Sequence, residues 1–366
     1  MNPDNATHLY EAWLRKRIPL IDADLRLKQE RMAENPFPFF RATFYRWVQL
    51  WPRLCPDLSV APAVLGVGDL HVENFGTWRD REGRLIWGVN DFDEATTLPY
   101  TNDLVRLASS ALLAVSANHL ACDPKSACDA LLGGYQAALR VGGSPFVLAE
   151  HHGLLRDLAL SELRDPVTYW AKLDQLPTPK GPIPASVKSA LVRALPEAGL
   201  PFRIVHRRAG LGSLGRRRFV AVADWRGSRV AREAKELTVS AWHWMETGKS
   251  FAILYRSILQ RAIRVADPFV RVQAHWLLRR LAPDCSRIEL GSLPQRRNEL
   301  KLLEVMGWET ANIHLGTKGA ARRIAADLKQ RAARWLRKAA QTMADATVDD
   351  WKAWSRGFRL AQKPAG

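Results

Sequence analysis

Three polar residues in the first third of the chain have the types and spacing of a phosphoryl-transfer site. Asn74 stands five positions after Asp69, and Asp91 follows in a second acidic segment. In phosphoryl-transfer loops with this spacing, the Asp accepts the proton of the acceptor group, while the Asn and a later Asp bind magnesium. The spacing therefore predicts that Asp69 is a catalytic base and that Asn74 and Asp91 are metal ligands.

The alternative is an ordinary turn, because Asp, Asn and Gly are common turn residues and this spacing arises by chance in many proteins. Two neighbouring residues favour a site. His71 lies two positions after Asp69, and Asp93 adds a carboxylate after Asp91. Magnesium prefers oxygen ligands, so Asn74, Asp91 and Asp93 are candidate ligands. His71 is a second candidate catalytic residue, although a histidine in this position is more often a structural hydrogen-bonding group.

A β-hairpin between the two polar segments is the element that would position them. Residues 75–78 and the apolar residues 85–89 have the composition of strands, and residues 80–83 have that of a turn. Because a hairpin places the outer ends of its strands side by side, Asp91 is expected to lie beside Asn74.

A glycine-rich segment, G-L-G-S-L-G at residues 210–215, provides a second chemical signal. This pattern alone is weak, because it also opens the helix of dinucleotide-binding folds. Here residues 202–206 and 219–223 on either side have the composition of strands, and a third strand carries Lys235. A glycine loop between two strands with a lysine on the third is the phosphate-covering arrangement of kinases. The candidate nucleotide-binding residues are Gly210, Gly212, Ser213, Gly215 and Lys235.

Lys235 is the candidate for contacting the α- and β-phosphates of a nucleotide. The alternative is a solvent-facing lysine on an edge strand. Kinases pair this lysine with an acidic residue, and the sequence offers no clear partner: the expected helix at residues 251–263 contains Gln260 but no Glu. Glu246 is a weaker candidate for that partner.

The segments G-D-L-H-V-E-N at residues 68–74 and N-D-F-D-E-A at residues 90–95 resemble the aminoglycoside phosphotransferases. They resemble more closely an uncharacterised bacterial family with a protein-kinase-like fold, domain of unknown function 2252 (DUF2252). That second resemblance extends over about residues 32–314. The sequence departs from the phosphotransferase pattern at Val67, where those enzymes usually have His.

The resemblance implies the same roles for individual residues. Asp69 corresponds to the catalytic base, and Asn74 and Asp91 correspond to the metal ligands. Lys235 is followed by Glu236, which matches a Lys-Glu pair of the uncharacterised family. ATP and Mg²⁺ are therefore the implied cofactors.

The order of the two motifs is the reverse of that in an ordinary kinase, since Asp69 precedes residues 210–215. If both motifs belong to one site, the fold is circularly permuted, which is physically accessible when the original termini lie close together. Residues 300–315 are predicted to form a helix that ends at Gly316. This helix resembles the phosphotransferase helix that ends in Leu-His just before the catalytic loop, so it is expected to pack beside Asp69.

An apolar helix is predicted over residues 104–113, with Asp103, only ten positions after Asp93, as its N-terminal cap. Small and apolar residues on nearly all of its sides indicate burial beneath the site. The short connection leaves no room for the long activation segment that presents peptide substrates to kinases. A small-molecule acceptor is therefore favoured over a protein.

The predicted fold class is α+β, with the two lobes of a circularly permuted kinase-like fold. Residues 1–185 are assigned to a mostly helical large lobe with the catalytic loop and the metal-binding hairpin. Residues 186–294 are assigned to a small, antiparallel, nucleotide-binding lobe, and residues 295–366 to C-terminal helices that return to the large lobe. The Pro-rich residues 176–184 mark the main boundary, and residues 287–290 are expected to complete the small sheet.

The composition of the 366-residue chain is 47% hydrophobic, enough to bury a full core. Its four cysteines form no Cys-x-x-Cys pair, and neither a signal pattern nor a membrane-length apolar run is present. A cytoplasmic protein without a transmembrane segment is therefore expected. The net charge of +17 favours polyanionic partners, although a merely solvated arginine-rich surface is the simpler explanation.

The sequence thus predicts an ATP- and magnesium-dependent phosphotransferase that binds a nucleotide and a small-molecule acceptor, with nucleotidyl transfer less favoured. The alternative is a non-catalytic nucleotide-sensing or nucleic-acid-binding protein. Basic residues are denser over residues 322–338, but the chain has no aromatic-interleaved RNA-binding signature and no zinc finger.

Overall fold

The computed structural model describes residues 1–148, 152, 153, 155–157, 165–285 and 298–361. The strand expected at residues 287–290 lies outside the described residues. The helices are α1 (Pro3–Arg15), α2 (Asp22–Glu34), α3 (Pro36–Ala42), α4 (Phe44–Leu54), α5 (Pro56–Ser59), α6 (Tyr100–Ser116), α7 (Pro124–Val141), α8 (Pro166–Asp174), α9 (Ala185–Ala194), α10 (Tyr255–Arg261), α11 (Glu299–His314), α12 (Ala320–Gln330) and α13 (Trp335–Ala361). The strands are β1 (Ala63–Gly66), β2 (Phe75–Arg79), β3 (Leu85–Val89), β4 (Thr96–Pro99), β5 (Phe146–Val147), β6 (Arg203–His206), β7 (Arg218–Trp225), β8 (Ser228–Glu236), β9 (Arg271–Gln273) and β10 (Trp276–Leu281).

The mixed α+β class predicted from the sequence is confirmed, and all the strand pairs are antiparallel. Strands β1 and β4 form one small sheet, β2, β3 and β5 a second, and a third has the order β6-β7-β8-β10-β9. The predicted hairpin is present as β2 and β3, with Phe75 paired to Val89. The strands predicted around residues 210–215 and at Lys235 are β6, β7 and β8.

The five-stranded sheet has a helix packed on each face. Because successive side chains of a strand point to opposite faces, Phe219 of β7 packs with α9 and the next residue, Val220, packs with α8. The sheet therefore contacts α8, which precedes the Pro-rich residues 176–184 in the chain, and α9, which follows them. The domain boundary predicted at residue 185 stays a prediction. Residues 166–174, which precede that boundary, pack with the five-stranded sheet, which follows it in the chain.

The helical part of the protein is organised around α6, whose side chains are buried along nearly its whole length. Helices α7 and α11 lie unusually close together because glycines face backbone at their contact. A Cβ atom added to Gly134 would lie 1.8 Å from the carbonyl oxygen of Glu304, and one added to Gly307 would lie 2.0 Å from that of Leu131. Within the part of the chain that the structure describes, no helix combines the length and apolarity needed to cross a membrane.

Candidate active site

The loop that carries Asp69 is held by a buried carboxylate of α6. Asp103 accepts hydrogen bonds from the backbone N–H groups of Val67 at 2.6 Å and Gly68 at 2.9 Å. The prediction that Asp103 caps the helix is wrong, because α6 begins at Tyr100 and Asp103 lies in its first turn. The carboxylate satisfies two buried donors that would otherwise lack partners.

His314, the last residue of α11, supports the same carboxylate. Its Nε2 lies 3.0 Å from Oδ2 of Asp103, and its Nδ1 lies 2.8 Å from the hydroxyl of Tyr135. The end of α11 therefore lies beside the loop that carries Asp69, as the resemblance to the phosphotransferases implied. Val67 cannot hydrogen-bond through its side chain, and the backbone of this loop is held by Asp103, which His314 supports.

Asp69 is held by a buried arginine that the sequence analysis did not single out. Arg106 of α6 donates to Oδ1 of Asp69 from Nε at 2.9 Å and from Nη2 at 2.5 Å, and Nη2 also donates to the carbonyl oxygen of Phe40. Burial raises the pKa of Asp69, and the charge of Arg106 opposes that shift. A Cβ atom on Gly212 would lie 3.4 Å from Oδ2. One oxygen is thus fixed, and the other faces the glycine loop.

His71 and Asn74 hydrogen-bond within the loop itself. The backbone N–H of His71 donates to Oδ1 of Asn74 at 2.8 Å, and that of Glu73 donates to Nδ1 of His71 at 3.2 Å. The ring of His71 therefore has a structural role in this arrangement. The Oδ1 atom of Asn74 keeps one lone pair for a further donor or a cation. Glu73 also forms an ion pair with Arg41 at 2.5 Å.

The hairpin brings the second acidic segment back to the loop, where the N–H of Asn90 donates to the carbonyl oxygen of Asn74 at 3.0 Å. Lys235 then meets both carboxylates of this segment: its Nζ lies 3.4 Å from Oδ1 of Asp91 and forms an ion pair with Asp93. Lys235 is buried on a central strand, so the solvent-facing alternative is wrong. The acidic partners of Lys235 therefore come from the segment that follows the hairpin, and not from a helix.

Lys235, Asp91 and Asp93 each change the pKa of the others through their charges or hydrogen bonds. Burial lowers the pKa of Lys235, against the effect of the two carboxylates. Burial raises the pKa of Asp93, and the neighbouring charge of Asp91 adds to the rise. Burial also acts on Asp91, but Lys235 and Arg279 outweigh it and lower the pKa of that carboxyl. At neutral pH the cluster therefore keeps negative charge close to the lysine.

The donor set fits a hard cation. Oδ1 of Asp93 is buried and has no hydrogen-bond partner among the described residues. Asp91 and Asp93 offer carboxylate oxygens, and Asn74 offers an amide oxygen, which are ligands that Mg²⁺ accepts. Within the described ranges, no group of three or more His, Cys, Asp or Glu side chains is arranged to hold a metal ion. A magnesium ion here would have only two carboxylates among its protein ligands.

The glycine loop is held down by α2, a contact that the sequence analysis missed. Lys28 donates from Nζ to the carbonyl oxygen of Gly212 at 3.2 Å, and the N–H of Ile21 donates to that of Gly215 at 2.8 Å. Gly215 has a φ of 95°, and a Cβ atom there would lie 2.5 Å from Leu25. Burial lowers the pKa of Lys28 to about 8. Only a glycine at position 215 allows the close contact with Leu25 at this positive φ.

Two cavities meet at this site. The smaller has a volume of about 40 Å³, and its wall contains His71 and six other predicted site residues: Asp69, Asp91, Asp93, Gly210, Gly212 and Ser213. The structure therefore brings most of the predicted residues together. Asn74, Gly215 and Lys235 lie outside this described wall. A cavity of this size has room for a few water molecules but not for a metabolite.

The larger cavity has a volume of about 950 Å³ and shares Asp91 and Gly210 with the smaller one. The described residues of its wall include eight arginines but only two carboxylates, Asp91 and Asp267. Its volume lies in the range of small-molecule and cofactor sites. The excess of positive charge suits an anionic ligand.

Three of those arginines converge on Glu233 of β8. Its carboxylate accepts hydrogen bonds from Arg207 at 2.8 Å, Arg218 at 3.0 Å and Arg279 at 2.6 Å. Burial opposes the charge of Glu233, but the three guanidinium groups lower its pKa well below the usual range. Alternate residues of a strand share a face, so Glu233 lies on the same face as Lys235. This two-residue spacing is the feature of the sequence that could have identified Glu233 as a site residue.

A second buried carboxyl, Glu309 of α11, supports the end of β3. Its Oε1 accepts from the N–H of Val89 at 3.2 Å, and its Oε2 accepts from the side-chain amide of Asn312 at 2.9 Å. A Cβ atom on Gly88 would lie 2.4 Å from Oε1, so the close contact requires a glycine. Burial raises the pKa of Glu309 to about 7.

This carboxyl should make stability depend on pH. Since the folded-state pKa of Glu309 is raised, its stabilising contribution is complete below pH 4.5 and is lost as the pH rises to about 7. The loss approaches about 3 kcal/mol at 1.36 kcal/mol per pKa unit. Glu309→Gln removes the titrating carboxyl, although it also replaces one acceptor oxygen by a donor, and it is expected to reduce the fall in the free energy of unfolding between pH 5 and pH 8. Urea denaturation at the two pH values measures this difference.

The matched control is Glu304→Gln, which changes an exposed glutamate of the same helix and leaves the buried carboxyl in place. It should retain the pH dependence of the wild type. If Glu309→Gln also retains that dependence, Glu309 is not the titrating group.

Comparison with known proteins gives one match. A family model described as an uncharacterized protein conserved in bacteria (DUF2252) matches residues 20–151. The matched part contains the loop of Asp69, the hairpin and Asp91, whereas residues 210–215 and Lys235 lie beyond it. The similarity found is therefore shorter than the expected range of residues 32–314. No curated protein and no solved structure matches the chain.

Proposed function

We propose that this protein is an ATP- and magnesium-dependent phosphotransferase that acts on a small molecule. The observation that carries the proposal is the meeting of the two cavities at Asp91 and Gly210. A nucleotide in the large, arginine-rich cavity would extend its phosphates past these residues towards Asp69. Phosphoryl transfer requires mainly positioning and charge neutralisation, and this arrangement offers both.

Asp69 is assigned as the general base. Its Oδ1 is held by Arg106, so Oδ2 is the atom that accepts the proton of the acceptor hydroxyl. The raised pKa of this buried carboxyl makes it a stronger base than an exposed aspartate. Asp103 keeps the loop in position, and Lys235 and the cavity arginines offset the charge of the phosphates.

Asp91 and Asp93 would hold the magnesium ion, with Asn74 as a further ligand. Oδ1 of Asp93 has no hydrogen-bond partner in the described part of the chain, which supports this assignment. A bound magnesium ion would neutralise charge on the transferred phosphate. Lys235, which contacts both carboxylates in this structure, would then be free to contact the phosphates of the donor.

We propose further that the protein has a two-lobed, kinase-like fold in circularly permuted order. Two features support this. The glycine loop between β6 and β7 lies over Asp69, as a phosphate-covering loop would. The end of α11 meets the beginning of the catalytic loop through His314 and Asp103, although the two are far apart in the sequence. A chain of ordinary kinase order would join these two elements directly.

The proposal is tested by incubating the purified protein with a metabolite extract and ATP labelled at either the α- or the γ-phosphate. Magnesium-dependent transfer of the γ-label to a small molecule is the expected result. Transfer of the α-label would indicate nucleotidyl transfer instead. If neither label is transferred and ATP is not consumed, phosphotransfer is excluded as the activity.

Magnesium-nucleotide binding should stabilise the protein, by about 2.7 kcal/mol at a hundredfold excess over the dissociation constant. Asp91→Ala is expected to remove the magnesium-dependent part of this gain, because the principal metal ligand is lost. The apo variant should unfold near the wild-type temperature, since Lys235 retains its ion pair with Asp93. Thermal unfolding with nucleotide, with and without magnesium, measures the effect.

Asp267→Ala is the control, because Asp267 is the other described carboxylate in the wall of the large cavity. It should retain the magnesium-dependent rise. If Asp91→Ala retains the full rise as well, Asp91 is not a metal ligand and the acidic segment is only a turn.

Exposed basic residues favour nucleic-acid binding as a second candidate function. The one carboxylate in residues 320–338, Asp327, pairs with Arg331, whereas six cations of this stretch are exposed: Arg322, Arg323, Lys329, Arg334, Arg337 and Lys338. A salt titration of nucleic-acid binding tests this candidate, because affinity that depends on phosphate contacts falls steeply with salt.

A further inference from the structure

The cavity-facing side of the five-stranded sheet carries an unusual concentration of charge. Arg207, Arg218 and Arg279 all lie in the wall of the large cavity, and all donate to Glu233 behind them. We call these three residues the arginine cluster. Three cations share one carboxylate, so the cluster has an excess of positive charge in a mostly buried place.

The donors of the cluster are only partly used. Arg279 donates to Glu233 through Nε, and Arg207 donates through Nη1. Arg218 uses both terminal nitrogens, on Glu233 and on the hydroxyl of Ser213 in the glycine loop. A guanidinium group has five N–H donors. The other nitrogens of Arg207 and Arg279 donate to none of the described residues, so they are available to a ligand in the cavity.

The cluster continues the line of charge that begins at Lys235. In the sheet register Arg218 lies opposite Lys235, and Arg279 lies opposite Glu233. Lys235 and Glu233 are two residues apart on β8, which corresponds to about 7 Å along the strand. The positive charge therefore has two centres along the sheet: Lys235 beside the acidic segment, and the three guanidinium groups around Glu233.

A ligand at this place must compensate charge that burial has removed from water. A neutral ring would leave the three guanidinium groups with the single counter-charge of Glu233, and desolvated charges are unfavourable unless they are paired. A row of phosphates would match both the spread of the cations and their planar donors, since arginine binds phosphate oxygens in a bidentate manner.

We propose that the arginine cluster is a binding site for a linear chain of phosphates, with Glu233 as the residue that holds the three guanidinium groups in position. The ligand class is a polyphosphate, either the triphosphate of a nucleotide or an inorganic chain. The identification of this ligand as the phosphate donor rests on the proposed function, whereas its binding does not. The donor is then recognised chiefly through its phosphates rather than through its base.

The test is isothermal titration calorimetry on the full chain with three probes: inorganic triphosphate, ATP and adenosine. Triphosphate and ATP should bind and compete with each other, and adenosine should bind at least about tenfold more weakly. Arg279→Gln should weaken binding of both phosphate probes about tenfold or more, as expected from the loss of a charge-assisted hydrogen bond. Circular dichroism verifies that the variant is folded.

Arg217→Gln is the matched control. Arg217 makes a two-point ion pair with Glu236 next to the same strands, but it is in the wall of neither cavity. Its replacement should leave triphosphate affinity unchanged. Arg207→Gln provides a second variant of the cluster if Arg279→Gln does not fold, and it should show the same loss.

The outcomes separate this inference from the proposed function. Triphosphate binding that depends on the cluster, without any transfer activity, supports the site and contradicts the phosphotransferase. ATP turnover without triphosphate binding contradicts the site and leaves the phosphotransferase standing. Equal affinity of Arg279→Gln and the wild type for triphosphate, or adenosine binding as tight as that of ATP, overturns the inference.

Discussion

Replacing Asp69 by Asn is expected to reduce phosphoryl transfer by about a hundredfold to ten-thousandfold, the usual contribution of a general base. Nucleotide binding should be nearly unchanged. The amide keeps the shape of the side chain and can still accept the hydrogen bonds of Arg106 through Oδ1, but it cannot take a proton from the acceptor. Steady-state kinetics gives the loss in kcat, and calorimetric titration with magnesium-ATP gives the affinity.

The control is Asp129→Asn, the same replacement at an exposed residue of α7 that pairs with Lys125 on the surface. It should match the wild type in both measurements. A parallel loss of nucleotide affinity and turnover in Asp69→Asn would instead show that Asp69 is structural, as the partner of the buried Arg106. Retention of full turnover would exclude Asp69 as the base.

The parts of the site that the sequence predicted are those defined by short-range spacing. The hairpin of β2 and β3 follows from apolar residues around a turn, and it places Asp91 after a strand whose partner begins beside Asn74. The strands around residues 210–215 follow from the same kind of pattern. In each case the physical cause lies within a few residues, so it is visible in a single sequence.

The supporting contacts were not predictable in this way, because their partners are distant in the chain. Arg106 reads as an interruption of an apolar helix until the fold shows Asp69 beside it. Glu233 reads as one charge in an alternating strand, although three arginines from other strands and loops converge on it. Charged residues are usually exposed, so a sequence pattern assigns them to the surface by default.

Asp103 shows how one local pattern can have two physical explanations. An aspartate in the first turn of a helix suggests a cap or a favourable interaction with the helix dipole. The structure uses it differently, because β1 and the catalytic loop bring the N–H groups of Val67 and Gly68 to its carboxylate. The approach is so close that a Cβ atom on Gly66 would lie 2.7 Å from Oδ2 of Asp103.

Asp103→Ala is therefore expected to have the largest effect on stability. It leaves two backbone N–H groups and His314 without their buried partner. Each buried donor left without an acceptor costs about 1 to 3 kcal/mol, so the loss of the acceptor of two N–H groups should lower the free energy of unfolding by about 2 to 6 kcal/mol. Because domains are stable by only about 5 to 15 kcal/mol, the variant should unfold at a much lower urea concentration, which equilibrium denaturation measures.

Asp123→Ala is the matched control, since Asp123 also accepts two backbone N–H groups, those of Lys125 and Ser126. These bonds are exposed at the beginning of α7, so water can replace the lost acceptor and the expected loss is about 1 kcal/mol. Both variants lose the acceptor of two backbone N–H groups, but only in Asp103→Ala are these groups buried and is the contact with His314 lost as well. If the two variants lose the same stability, Asp103 is not the buried brace of the catalytic loop, and the positioning of Asp69 must depend on Arg106 alone.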